Sequence, residues 1–362
     1  MRTTRTLLLL SVRQQRRPDS PCDCIVPEGA MALRWGIVGA GMVSEDFTNA
    51  LNFLPSSSHV VAAVASRSLT SAKDFADRFA IPVAYGSYQD LARDPDVDVV
   101  YLGVIPPPHL EVISLMLRSG KPVLCEKPLC VNAKETRQVI NLAREKGVFL
   151  MEGIQGRSAP VYHQLRQRLQ EGEIGDVRQV IVNQGWPAQH LPKISEKGQG
   201  GGISLKYGTL SVQLVSFVMN GDKPTTISAA GIINQNGVDV ATGVTLVYPG
   251  ERMATICMSA TCKLPCDALI VGTKGTIKVN APMWAPKSMD TPSGIFEVPY
   301  PDLGKPLNFN GTQGFVYEAE EVRRCLKNGL LESPNVPWQE SITISEIMEE
   351  VRMQLGVTYD QD

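Results

Sequence analysis

Between residues 33 and 153, short apolar runs alternate with stretches in which apolar positions recur every three to four residues. The first run, from Leu33, ends in the turn Gly39-x-Gly41-x-x-Ser44, and a helix-compatible segment follows from Glu45 to Leu54. Val60–Ala65, Val97–Val104, Pro122–Cys125 and Val148–Met151 read as further buried strands. Between them, Ser71-x-x-Asp74 opens a helix whose Ala72, Phe75, Ala76 and Phe79 share one face. A second helix runs from Leu110 to Leu117, and a third is opened by Asn132-x-x-Glu135 and stopped at Gly147. Continuous apolar strands separated by amphipathic helices predict an α/β domain with a parallel, doubly wound sheet.

After about Met151 the pattern changes. Helices are expected at Pro160–Leu169 and Ile203–Met219, on either side of a strand at Val177–Val182 and a glycine-rich loop, Lys193–Gly202. Alternating strands follow: Thr226–Ile233, Val240–Tyr248, Met253–Thr261, Ala268–Val271 and Thr276–Val279. Two helices, Gly314–Cys325 and Ile342–Leu355, close the chain. This half reads as an α+β domain, an open, mostly antiparallel sheet with helices on one face. The expected division is an extension at 1–30, a nucleotide-type domain at 31–153 and a second domain at 154–362.

Composition narrows the classes of partner. A net charge of −2 over 362 residues gives no basic excess for nucleic acid or an anionic membrane. No apolar run reaches the roughly 18 residues that span a bilayer. The 8 cysteines are scattered, and Cys262-x-x-x-Cys266 has no second pair beside it, so reduced structural thiols in a cytoplasmic enzyme are expected and no metal. Arg2, Arg5, Arg13, Arg16 and Arg17 precede the first acid, Asp19. That start fits a mitochondrial transit peptide. It also fits an untargeted extension ahead of Met31, the reading preferred here.

The glycine turn carries the first candidate chemistry. Gly39 permits the tight turn, and Gly41, followed by Met42 and Val43, lets backbone approach a pyrophosphate at the helix N-terminus. Ser44 is small enough for close helix–strand packing. The second strand ends Ala65-Ser66-Arg67, with no carboxylate to receive a ribose diol. Arg67 can pair with a 2′-phosphate and stack on adenine, so NADP is expected as cofactor.

Four features together resemble the glucose–fructose oxidoreductase/inositol dehydrogenase (Gfo/Idh/MocA) family: Gly39-x-Gly41, Pro106-Pro107-Pro108-His109, Glu126-Lys127-Pro128 and the mixed second half. The resemblance runs from Met31 to Asp362. It implies a Rossmann domain, a substrate domain that dimerises through its sheet, and NADP-dependent oxidation of a trans-dihydrodiol or of an aldopentose at C1. It places Lys127 beside nicotinamide and the reacting carbon, with Glu126 in the same turn and Pro128 cis. His109 would lie at the cofactor ribose or cap the following helix, and both roles stand open.

The chain also departs from the family pattern. Where the family carries Gly-Gly-x-x-x-Asp-x-Gly-x-Tyr, this chain has Gly201, Gly202 and Gly208 in place but Lys206 and Leu210 at the acid/base positions. Leucine carries no proton, and the neighbouring Tyr207 points ~100° away round a helix. A lysine beside Lys127 favours one neutral amine, which could serve as a base. In the implied pocket Arg157, Trp284 and Phe309 remain, while Gln155 and Gln184 replace aromatics. Two functions follow as expectations: an NADP-dependent dehydrogenase of this family, or an NADP(H)-binding homodimer with little or no turnover.

Overall fold

The computed structural model describes residues 32–362, so the Arg-rich extension, with Cys22 and Cys24, lies outside the described residues. The first sheet holds β1 (Leu33–Val38), β2 (His59–Ala65), β3 (Val83–Tyr85), β4 (Val99–Leu102), β5 (Val123–Glu126) and β6 (Leu150–Gly153). Their spatial order is β3-β2-β1-β4-β5-β6, and every pairing is parallel. Helices α1 (Met42–Phe53), α2 (Leu69–Phe79), α3 (Tyr88–Arg93), α4 (His109–Arg118) and α5 (Ala133–Lys146) make the crossovers. Covered on both faces, β4 is buried along its whole length, which is why it reads as an unbroken apolar run. Strand order reverses between β1 and β4, and a crevice opens beyond their carboxyl ends.

Local caps set several boundaries. Asn132 Oδ1 accepts from the Glu135 amide at 2.8 Å and opens α5, and Gly147, at φ 61°, closes it as expected. The cap of α2 lies earlier than expected. Ser68 accepts from the Ser71 amide at 3.3 Å, so Ser71 sits inside the helix rather than ahead of it.

The second sheet is built from β7 (Val177–Gly185), β8 (Thr226–Ile233), β9 (Asp239–Tyr248), β10 (Arg252–Ser259), β11 (Ala268–Gly272), β12 (Thr276–Val279), β13 (Ser288–Thr291) and β14 (Gly294–Glu297). Its order is β14-β13-β12-β11-β7-β10-β9-β8, and only β7 with β10 is parallel. The helices of this half are α6 (Pro160–Gln170), α7 (Pro192–Ser195), α8 (Ile203–Val218), α9 (Phe315–Lys327) and α10 (Trp338–Leu355). Helix α8 lies on β7, β9 and β10 and is covered in turn by α10, so it is apolar nearly all round. The two helices approach at Gly208, where a Cβ would collide with the Met348 side chain. On the opposite face Ile232, Val247 and Met253 stay exposed. No helix among the described residues is long and apolar enough to cross a membrane.

Candidate active site

The crevice begins at the end of β1. Gly39 has φ 97°, and a Cβ there would lie 2.8 Å from Val104 Cγ1 and 3.1 Å from the Gly103 carbonyl oxygen. Only glycine meets both demands. Gly41 is the N-cap of α1, without a side-chain cap, and a Cβ there would point into open space. The first-turn amides of α1, led by the exposed Met42 and half-buried Val43, therefore face the crevice unpaired by any cap. Ser44 is buried beneath them and packs on Gly103, where a Cβ would overlap its hydroxyl. At the end of β2, Ser66 donates its amide to the Tyr85 carbonyl at 3.1 Å. Arg67 is exposed and forms no ion pair among the described residues.

The turn after β5 carries Lys127. The Lys127–Pro128 peptide bond is cis. Lys127 Nζ donates to the Lys206 carbonyl at 2.9 Å, joining the Rossmann sheet's edge to α8. Burial lowers the Lys127 pKa, while Glu126 and Glu152 oppose that shift. Glu126 accepts from the Tyr101 hydroxyl at 2.9 Å, and burial raises its carboxyl. Glu152, buried at the end of β6, accepts from the Leu129 amide at 3.0 Å and is pushed up to about 7 by burial. These acids stand behind the turn.

His109 is not the cap of α4. It is the first residue of α4, with Pro108 at the cap, and its ring is buried. Nε2 lies 3.1 Å from the Val104 carbonyl, and Nδ1 lies 3.0 and 3.1 Å from those of Pro128 and Leu129. The ring ties the loop after β4 to the loop after β5 and so supports the Lys127 turn from behind. Burial lowers its pKa, which favours the neutral imidazole.

Lys206 and Leu210 are both half-buried, one helical turn apart on α8, and so share one face. Burial first, then Lys127 and Lys193, lower Lys206 to about 7. Tyr207 turns away from them. Its ring packs 4.3 Å from Trp186, and burial raises its pKa. Trp186 in turn lies 5.6 Å from Trp284. Phe309, 36% exposed, faces Lys193, whose ammonium is 5.0 Å from the ring centroid. The Phe309 loop is held by Asp46 of α1, buried, which accepts from the amides of Asn308 and Phe309 at 2.8 and 3.0 Å and from the Thr312 hydroxyl at 2.8 Å.

Arg157 and Gln184 are corrections to the expected pocket. Arg157 is buried and bidentate on Glu340, at 2.9 and 2.7 Å, with Gln213 Oε1 at 2.6 Å. Its charge is spent inside the protein, between α8 and α10. Gln184 is buried under α8, where its Oε1 accepts from Ser211 at 2.6 Å. Gln155 is half-buried in the turn Gln155–Ser158, and its buried Oε1 has no hydrogen-bond partner among the described residues. Glu340→Ala strands the Arg157 guanidinium, so it is expected to lower stability by roughly 3–5 kcal/mol in urea denaturation. A loss under 1 kcal/mol would show that water or Gln213 compensates.

Asp46, Glu152, Trp186 and Lys193 went unpredicted. Glu152 had a signal, as an acid inside a strand that is otherwise apolar. Lys193 was visible only as the start of a glycine-rich loop.

Comparison with known proteins agrees with this architecture. Residues 33–154 match the oxidoreductase family, NAD-binding Rossmann fold, and residues 162–278 match the GFO/IDH/MocA C-terminal domain. The trans-1,2-dihydrobenzene-1,2-diol dehydrogenase of Danio rerio is 46% identical over 332 residues, covering 92% of this chain and 99% of that protein. Its Homo sapiens counterpart is 43% identical over the same coverage of 92% and 99%. A 3-ketoreductase from Actinomadura kijaniata, solved with NADP and TDP-benzene, shares the fold with a TM-score of 0.75 at 22% identity, over 90% of this chain and 98% of that one. The glycine turn, the cis-proline lysine turn and the large mixed sheet belong together: this chain is a member of the GFO/IDH/MocA oxidoreductase family.

Proposed function

We propose that this chain is an NADP-dependent dehydrogenase of a small polyol or sugar. The reactions best matched to its relatives' names and to the motif resemblance are oxidation of a trans-dihydrodiol to a catechol and of an aldopentose at C1 to its lactone. The observation that carries this reading is Lys127, half-buried at the carboxyl edge of the parallel sheet and fixed by its bond to the Lys206 carbonyl. The turn also fits the cofactor, since Gly41 opens onto free space at an uncapped helix N-terminus. NADP⁺, when bound, supplies the hydride acceptor. Lys127 orients the substrate hydroxyl and favours its alkoxide electrostatically. Lys206 is the neighbouring group able to take a proton, because burial and two other lysines hold it near 7. The test is NADPH formation by purified protein with NADP⁺ and D-xylose or a trans-dihydrodiol.

Arg67 would pair with the 2′-phosphate. A charged hydrogen bond contributes about 1.5–3 kcal/mol, so Arg67→Ala should reduce the NADPH-to-NADH affinity ratio by roughly 10–100-fold. An unchanged ratio, read by nicotinamide fluorescence, removes the NADP preference.

Leu210 favours a second reading, a silent NADP(H)-binding homodimer. Saturable NADPH binding without turnover on either substrate would support it. In both readings the dimer forms through the second sheet. Thr245, Val247, Met253 and Thr255 share its outward face, and across β7 to β10 that face carries no charged side chain. A monomer by sedimentation would sink the dimer.

A further inference from the structure

Three lysines from three separate segments lie close enough to act on one another electrostatically. Lys127 is on the turn after β5, Lys193 is in α7, and Lys206 is in α8. All three are half-buried. Lys127 is anchored by the Lys206 carbonyl, and Lys193 is placed by the Phe309 ring. The backbone of Phe309 is held by the Asp46 clamp. Among the described residues, neither Lys193 nor Lys206 forms an ion pair or hydrogen-bonds through its ammonium to a carboxylate. The nearby acids serve the other side. Glu126 is bonded to Tyr101 and Glu152 to the Leu129 amide, and both act on Lys127. Lys206 is lowered first by burial, and the charges that act on it are those of Lys127 and Lys193.

Like charges gathered in a half-buried cleft repel, and they lose hydration that nothing in the protein replaces. The family pattern that this chain resembles has an aspartate at position 206, so here the local charge is inverted. A neutral diol or pentose gives the two free ammonium groups nothing to pair with. A carboxylate or phosphate does, through charge-assisted hydrogen bonds. Resting on the dehydrogenase reading above, we propose that this cleft takes a sugar or polyol bearing a negative charge, with its carboxylate or phosphate ester between Lys193 and Lys206 and its reacting hydroxyl at Lys127. Lysine suits such a group as a point charge on a flexible stem. The lowering of Lys206 to about 7 agrees with a site that lacks its counter-ion.

The experiment uses the full chain saturated with NADP⁺ at fixed ionic strength. D-xylose, D-glucuronate and D-glucose 6-phosphate share one pyranose stereochemistry through C4 and differ in charge beyond it. Calorimetry should show one or both charged sugars binding about tenfold tighter than xylose or better. Whichever binds better identifies carboxylate or phosphate as the group. Lys193→Met should remove most of that advantage while leaving xylose affinity within a factor of about two, and Lys206→Met should remove most of it as well. Equal affinity for the three sugars overturns the proposal. So does inorganic phosphate or acetate binding as tightly as the charged sugars, since that is anion attraction without a sugar site. NADPH fluorescence on a parallel sample free of NADP⁺ separates the two readings. Charged-sugar binding without NADPH binding defeats the dehydrogenase reading alone, and NADPH binding without charge preference defeats this one alone.

Discussion

Lys127→Ala is expected to lower kcat/KM for NADP⁺ reduction by roughly 10²–10³-fold or more while changing NADPH affinity only a few-fold. The asymmetry follows from position. The proposed pyrophosphate site is Gly39, Gly41 and the start of α1, and Lys127 lies on a different turn, after β5. Its ammonium instead points across the crevice to α8, where it bonds the Lys206 carbonyl. Removing it takes away a cation held by a backbone carbonyl at the proposed site of hydride loss. A second readout follows from the like-charge pair. Lys127 is one of the causes that hold Lys206 near 7, so its loss should move the Lys206 titration upward, toward the ordinary lysine range. Burial, the larger cause, remains, so the shift is partial. Labelled-lysine NMR of wild type and variant checks this directly. Activity retained within tenfold, or an unmoved Lys206 titration, would show that the two groups do not share a site.

Much of this site could be read in the chain, and the reason is local. A parallel sheet buried on both faces leaves unbroken apolar runs, so β1, β2, β4, β5 and β6 stand out. Strands with one solvated face stand out by alternation, as Thr226–Ile233 and Thr276–Val279 do. The missed strands are short: β3 is three half-buried residues, β13 is four residues with only Met289 buried, and β14 is four mostly exposed residues. The Lys127 turn and the Lys206 and Leu210 positions were legible because their spacing is short-range. Asp46, by contrast, clamps residues 262 to 266 positions away, and Arg157 meets Glu340 at a separation of 183. No periodicity records such pairs. A polar residue that the sequence leaves free to line a pocket can therefore be fully committed elsewhere, as Arg157 is.

The double variant Lys206→Asp with Leu210→Tyr is expected to raise kcat with D-xylose or a trans-dihydrodiol by about 10²–10⁴-fold, the range of one general acid/base step. Both positions lie on one face of α8, one turn apart and half-buried, so the new side chains would meet beside Lys127. Each single change should do less. Leu210→Tyr alone places a phenol among ammonium groups, which lowers its pKa but leaves the lysine cluster in place. Lys206→Asp alone gives Lys127 a counter-ion and raises its pKa, yet supplies no proton carrier where Leu210 stands. The double should therefore exceed the product of the singles, a coupling that a kinetic double-mutant cycle reads. The pH profile adds a sign. Wild-type turnover that uses neutral Lys206 as base rises as pH increases through about 7, and that limb disappears in both variants lacking Lys206. A double variant that binds NADPH normally yet gains nothing would place the defect in the pocket around Gln155, Trp186 and Lys193 rather than in the acid/base pair. In that case the charged-sugar panel becomes the measurement that decides between an altered substrate and a silent site. Restoring aspartate there should also cancel any preference for a negatively charged sugar, because it puts back the carboxylate that such a sugar would replace.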